Sequence, residues 1–315
     1  MKWLTRGRFA VIGASGQIGS ALLPELERRF PENGRVVGTS RQGDQTSLFK
    51  FDLRDPESVI PMEALGPDDT VVLLAAVSNP NLAFEDPNFA RSTNVGGADR
   101  VVRTCRDSGA RLLFFSSVEV FDGRNGPFHE GRRANPLNVY GQTKAEIEAL
   151  IRSSLHPGQF CIVRTPWNVG FTPGPRCVVK LTYGSLLAGG ARMAVDNLIS
   201  IIDIRDTVDG VTSILSHPDG FVAPVIHLAA GQTFARDDLA ELVRTESRLG
   251  DRMTFDRVTF DQLPLREPRG KDVRLDAALS REVFGLRYRS ATETVLVKVQ
   301  LLDEWLEAGI DLTFE

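Results

Sequence analysis

Arg8-Phe9-Ala10-Val11-Ile12-Gly13-Ala14-Ser15-Gly16-Gln17-Ile18-Gly19 is the run on which the fold turns. Arg8 to Ile12 is a short apolar segment of strand type. Three glycines at three-residue spacing follow, then helix-forming sequence to about Phe30. A glycine turn between a strand and a helix is the context in which such a motif binds a dinucleotide. The glycines permit a tight turn, close approach of backbone to a pyrophosphate and close packing of helix on strand. The helix N-terminus then offers its unpaired N–H groups to the phosphates. Gly13, Ser15, Gly16, Gln17 and Ile18 are therefore predicted to hold a cofactor. The spacing is G-x-x-G-x-x-G rather than G-x-G-x-x-G, and Pro24 predicts a kink in the helix.

Outward from this turn the chain alternates between strands and helices. The second predicted strand, Arg35 to Arg41, ends in Thr39-Ser40-Arg41 and meets no acid until Asp44. An NAD site usually has a carboxylate there for the ribose. Ser40 and Arg41 suit a 2′-phosphate instead, so NADP is favoured over NAD. Leu48 to Leu53 reads as a third strand that brings Asp52 and Leu53 to the adenine, and Asp55 to Leu65 reads as weakly helical. Thr70 to Ala76 is a continuous apolar strand whose small end, Ala75-Ala76-Val77, lets a cofactor lie close. A helix is predicted from Asn88 to Ser108 with Asn94 in its first half, then a strand from Arg111 to Ser117. This alternation predicts an α/β fold, a Rossmann-type doubly wound parallel sheet with ligands beyond the carboxyl ends of the strands. Residues 1–165 with 200–230 are assigned to the dinucleotide-binding domain. Residues 166–199 with 231–315 are assigned to a smaller α/β substrate-binding lobe, with a loop from Pro166 to Pro175.

Val139-Tyr140-Gly141-Gln142-Thr143-Lys144 opens a further helix. Positions i and i+4 share a helical face, so Tyr140 and Lys144 reach one site. A lysine beside a tyrosine stabilises the phenolate and draws its pKa down from about 10, which makes the tyrosine an acid or base near neutral pH. The spacing alone is common on solvated helix faces and takes its weight from the cofactor motif.

The 315 residues carry a net charge of −4 and a pI near 5.7, which argues against a nucleic-acid binder. Cys105, Cys161 and Cys177 lack metal-ligand spacing and read as core thiols, so no metal is expected. No apolar run reaches the ~18 residues of a membrane span and no signal peptide is visible, so a cytoplasmic protein is expected.

Gly13, Gly16, Gly19, Ser117, Tyr140 and Lys144 together resemble an extended short-chain dehydrogenase/reductase of the NAD-dependent epimerase/dehydratase superfamily. The likeness sharpens at Phe115-Ser116-Ser117-Val118-Glu119-Val120-Phe121-Asp122-Gly123 and at Pro136-Leu137-Asn138-Val139-Tyr140-Gly141-Gln142-Thr143-Lys144, which are similar to the dTDP-4-dehydrorhamnose reductases. Arg164-Thr165-Pro166-Trp167, His227-Leu228-Ala229 and Asp272-Val273-Arg274-Leu275-Asp276 extend it over nearly the whole chain. The resemblance implies NADPH-dependent reduction of a nucleotide-linked 4-keto sugar. Ser117 then bonds the substrate oxygen, Tyr140 donates the proton, and Lys144 holds the ribose and tunes Tyr140. Asn94, Thr165 and Trp167 are placed with the cofactor. Ser117, Glu119, Trp167, Asn168, Arg176 and Arg274 are placed with the substrate, the two arginines on its diphosphate. Val118-Glu119 replaces an Asp-Tyr pair of that family, and Asn168-Val169 follows Trp167 where Val-Tyr is frequent, so the sugar is left open. An epimerase, a dehydratase or a small-alcohol dehydrogenase on the same scaffold, and a non-catalytic NADP-binding regulatory subunit, remain alternatives, and a homodimer is left open.

Overall fold

The computed structural model describes residues 7–32, 35–43 and 48–312; Asp44 lies outside the described residues. Phe9–Ile12 (β1) is buried at every position and runs through the glycine turn into Gln17–Arg29 (α1), which continues past Pro24 to its end. Val36–Ser40 (β2), Leu48–Lys50 (β3) and Thr70–Leu73 (β4) follow. Pro80–Glu85 (α2) and Pro87–Arg91 (α3) lead through a π-helical turn, Ser92–Gly96, into Gly97–Ser108 (α4). Arg111–Ser117 (β5) precedes a 3-10 turn at Val118–Val120 and the long helix Val139–Ser154 (α5). Phe160–Thr165 (β6), Trp167–Val169 (β7), Val178–Ala188 (α6), Ala191–Ala194 (β8), Leu198–Asp203 (β9) and Ile204–Leu215 (α7) come next. The chain closes with Val225–His227 (β10), Thr233–Ala235 (β11), Arg236–Glu246 (α8), Phe255–Val258 (β12), Asp272–Val273 (β13), Ala278–Phe284 (α9) and Ala291–Glu307 (α10).

Seven strands form one parallel sheet in the order β10-β6-β5-β4-β1-β2-β3. Its central strands are buried along nearly their whole length because helices cover both faces. Leu22 and Leu26 of α1 pack with Val211, Ile214 and Leu215 of α7 on one face. Val101, Val102 and Cys105 of α4 pack with Ile147 and Ile151 of α5 on the other. This is the predicted doubly wound architecture. β1 lies between β2 and β4, so the winding direction reverses there and opens a crevice at the carboxyl ends of β1 and β4.

A second sheet holds β11, β9 and β13, with β7 also paired to β9. Here the structure departs from the sequence reading, which attached residues 200–230 to the first sheet. α7 packs on that sheet and β10 joins it, but β9 belongs to the second. A buried apolar run announces a strand without naming its partner. β6 and β7 are separated by Pro166 alone, so a short strand stands inside the predicted 166–175 loop. The expected helix over Asp55–Leu65 does not form. Pro61 disfavours helix at Ile60, the Asp55 carboxylate accepts from the Glu57 N–H at 3.0 Å to make a turn, and Ala64 has a φ of 45°. Cys105, Cys161 and Cys177 are all buried free thiols. Among the described residues no helix is long and apolar enough to cross a membrane, and no group of three metal-ligating side chains occurs.

Candidate active site

The crevice is a cleft of about 580 Å³ that runs from the glycine turn, past the ends of β4, β5 and β6, to two arginines contributed by the second half of the chain. At its first end the glycines are required by contact as well as by shape. Gly13 has a φ of 93°, and a Cβ there would lie 2.8 Å from the Ala75 nitrogen. A Cβ on Gly19 would lie 2.3 Å from the Gly13 carbonyl oxygen. The N-cap of α1 is Gly16, with no side-chain cap and no acid in the first turn, so the helix N-terminus faces the cleft uncompensated. That geometry fits the pyrophosphate of a dinucleotide.

Gly13, Ser15, Gly16, Gln17, Ile18, Arg41, Asp52, Leu53, Ala75, Ala76, Val77, Thr165 and Trp167 all line the cleft. Two other cofactor expectations, Ser40 and Asn94, need correction. The Ser40 hydroxyl accepts from the Gly43 N–H at 2.9 Å, which closes a turn, and Ser40 is not part of the lining. Asn94 is buried behind the wall. Its side chain accepts from the Val77 N–H at 2.7 Å, and donates to the Val77 carbonyl at 3.2 Å and to Thr143 Oγ1 at 3.1 Å. Asn94 thus fastens the cleft-lining segment after β4 to helix α5, from a π-turn of the kind that recurs at functional sites. Asp52 lines the cleft, but the Arg54 guanidinium grips its carboxylate at 2.5 Å and holds its pKa down at about 2. Arg54, missed in the sequence reading, lines the cleft with Arg41.

At the centre, one face of α5 grips three consecutive residues of β5. Tyr140 stands beside Ser117, close enough for the serine to favour its ionised form. Lys144 Nζ donates to the Phe115 carbonyl at 2.7 Å. Ser116 Oγ donates to Glu148 Oε1 at 2.6 Å. The helix residues are four apart, as one face demands. The helix starts where it does because Asn138 caps it, accepting from the Gly141 N–H at 2.8 Å. Gly141 allows the close contact, since a Cβ there would lie 2.0 Å from the Glu119 carbonyl oxygen. The predicted convergence of Ser117, Tyr140 and Lys144 is present; the third rung, Glu148, was missed.

The expected depression of the Tyr140 pKa by Lys144 is not found. Burial pushes Tyr140 above its ordinary value, the Glu119 charge adds to this, and the neighbouring Ser117 only partly offsets them. Lys144 Nζ stands 5.9 Å from the Tyr140 ring centre and is turned to the Phe115 carbonyl. Burial pushes Lys144 down to about 8, against the opposing effect of Glu148. Tyr140 is therefore held protonated, as a proton donor must be.

At the far end, Glu119, Trp167, Asn168 and Arg176 line the cleft. Glu119 Oε2 accepts from Asn138 Nδ2 at 2.7 Å. The Asn168 amide is committed elsewhere: it donates to Thr165 Oγ1 at 3.1 Å and accepts from Thr207 Oγ1 at 2.6 Å, so its side chain shapes the wall. Arg274 is not in the lining; it pairs with Asp272 at 2.7 Å and donates to the Gly126 carbonyl at 3.1 Å. Its place beside Arg176 is taken by Arg269, whose guanidinium bonds Glu267 at 2.6 Å and Asn81 at 3.1 Å. Arg176 is pushed down by burial and by the Arg269 charge, and Arg236 is pushed to about 10 by the same two causes. The Arg176 Nε is buried without a partner. Like charges crowded in this way lower their energy when an anion sits among them.

A sequence profile of the RmlD substrate binding domain matches residues 7–302. The chain belongs to that family. A dTDP-4-dehydrorhamnose reductase of Streptomyces griseus is 34% identical to this RmlD-family chain over 177 residues, which cover 56% of this chain and 54% of the relative. Methionine adenosyltransferase 2 subunit beta of Rattus norvegicus is 30% identical over 144 residues, covering 46% of this chain and 42% of the relative. The chain thus spans about half the length of the relatives it matches. A dTDP-4-dehydrorhamnose reductase of Bacillus anthracis, solved in complex with NADP, has the same fold: TM-score 0.74, 20% identity, 92% of this chain and 97% of that one covered.

Proposed function

We propose that the protein is an NADPH-dependent reductase of a 4-keto sugar carried on a nucleoside diphosphate. The observation that carries this reading is the placement of Ser117, Tyr140 and Lys144 midway along one cleft, between a dinucleotide turn and an arginine cluster. The bound nicotinamide supplies the hydride. The chain does the rest. Ser117 donates to the carbonyl oxygen, Tyr140 delivers a proton to that oxygen as it becomes an alkoxide, and the Lys144 ammonium adds positive charge to the site. Arg41 and Arg54 hold the 2′-phosphate, and Arg176 with Arg269 the substrate diphosphate. The relatives named as dTDP-4-dehydrorhamnose reductases and the NADP complex support both halves of the reading.

The relatives named as a methionine adenosyltransferase subunit favour a second reading, in which the cleft holds NADP and the chain regulates a partner. One experiment separates the two. NADPH oxidation is followed with dTDP- and UDP-linked 4-keto sugars, in the native chain and in Tyr140→Phe. Turnover with one of them that Tyr140→Phe abolishes supports the reductase. NADPH binding without turnover on any of them supports the regulator.

A further inference from the structure

The third rung of the grip of α5 on β5 has no place in the reaction just described, and its surroundings give it one. Glu148 is buried, four residues beyond Lys144 on the same face. Three groups hold it. Ser116 Oγ donates to its Oε1 at 2.6 Å; Arg164 Nε donates to the same oxygen at 2.8 Å and Arg164 Nη2 to Oε2 at 2.5 Å; Arg152 approaches to 3.8 Å from its own helix. Arg164 lies directly opposite Ser116 in the β5–β6 register, so the carboxylate clamps two neighbouring strands where they enter the cleft. Arg164 is itself fixed, donating to the Glu130 carbonyl at 3.3 Å and touching the His227 ring at 3.5 Å. That ring stays neutral, pushed down to about 3 by burial and the Arg164 charge.

Among the described residues Lys144 has no carboxylate in hydrogen-bonding or ion-pair contact. From β5 it meets the Phe115 carbonyl and the Phe114 ring; on its own helix it meets the Tyr140 ring, with Ser117 and Glu119 beyond it. From α3, Arg91 is engaged by Glu146 on the outer side of the helix. Glu148 is therefore the anion that opposes the loss of charge that burial imposes on Lys144. We infer that Glu148 is a positioning residue: clamped by Arg164 and Ser116, it keeps Lys144 an ammonium seated on the Phe115 carbonyl beneath Tyr140. The consequence for turnover rests on the reductase reading; the charge state of Lys144 does not.

Competitive acetylation of the whole chain by acetic anhydride at a series of pH values, with peptide mapping, reads the ionisation of Lys144 without cofactor or substrate. The native protein should give a midpoint near 8. Glu148→Gln should lower it by about one unit or more, since a nearby opposite charge is worth that much. Glu148→Asp should restore most of the shift, and the other lysines should not move. If Glu148→Gln does not fold, Glu148→Leu/Arg164→Met replaces the buried pair with apolar groups; because the Arg164 cation goes too, the midpoint should fall in the same direction but by less. A Lys144 midpoint unchanged in a folded variant overturns the inference. A shifted midpoint that leaves the pH dependence of NADPH oxidation where it was upholds the inference and rejects the catalytic role of Lys144.

Discussion

Tyr140 and Lys144 illustrate how burial can reverse an expectation drawn from charge alone. Two residues one turn apart suggested a mutual adjustment, but in the folded chain each responds chiefly to the water it has lost. The outcome still suits proton donation. Removing only the hydroxyl, Tyr140→Phe should leave folding and NADPH affinity intact and reduce turnover by about 10²–10⁴-fold, measured with a confirmed keto-sugar substrate. Lys144 should set the alkaline limb of the pH profile. It releases its proton near 8 in the fold and near 10.5 in the ordinary state, so kcat/KM should fall as pH rises through about 8. Between those values the unfolded chain binds more protons than the folded one, so this residue makes stability rise with pH while activity declines. At the other end of the cleft, Arg41→Ala should weaken NADPH by roughly tenfold or more and leave NADH nearly unchanged, because a charge-assisted contact is worth about 1.5–3 kcal/mol. Equal loss of both cofactors in a binding titration would remove Arg41 from the phosphate site.

Helix α5 and strand β5 behave as one element, held by side chains four apart on the helix and adjacent on the strand. Gly141 sets how closely they approach. Gly141→Ala has to displace the Glu119 carbonyl, so it should cost about 1–3 kcal/mol of stability, read from the denaturant midpoint, and lower turnover beyond what the lost stability explains. The start of α5 was legible because Tyr140 and Lys144 stand one turn apart at the head of a strongly helical stretch. The role of Glu148 was not, since its partners Ser116 and Arg164 are 32 and 16 residues away and meet it only through the sheet. The π-turn at Ser92–Gly96 was equally hidden: a periodic apolar pattern announces helix, and a single widened turn leaves that pattern nearly intact.

Across the whole molecule, the parallel sheet was readable because most of its strands are local apolar runs and several are followed by a helix, whereas the second sheet assembles pieces of two to six residues from distant parts of the chain. For the same reason the sequence pointed to Arg274, within a family-like motif, when the fold brings Arg269 to the cleft and commits Arg274 to Asp272. Isothermal titration with dTDP should bear this out: Arg269→Ala and Arg176→Ala should each weaken binding about tenfold or more, while Arg274→Ala leaves it unchanged. NADPH affinity should survive all three. Pro166 alone parts β6 of one sheet from β7, the first strand of the other, so the two sheets share a phase. Successive strand residues face opposite ways, and adding or deleting a single residue at that joint would exchange the sides on which Trp167 and Asn168 present themselves. The two halves of this chain can therefore drift in sequence but not in count at residue 166: insertions that surface loops elsewhere absorb would there turn the wall of the cleft inside out.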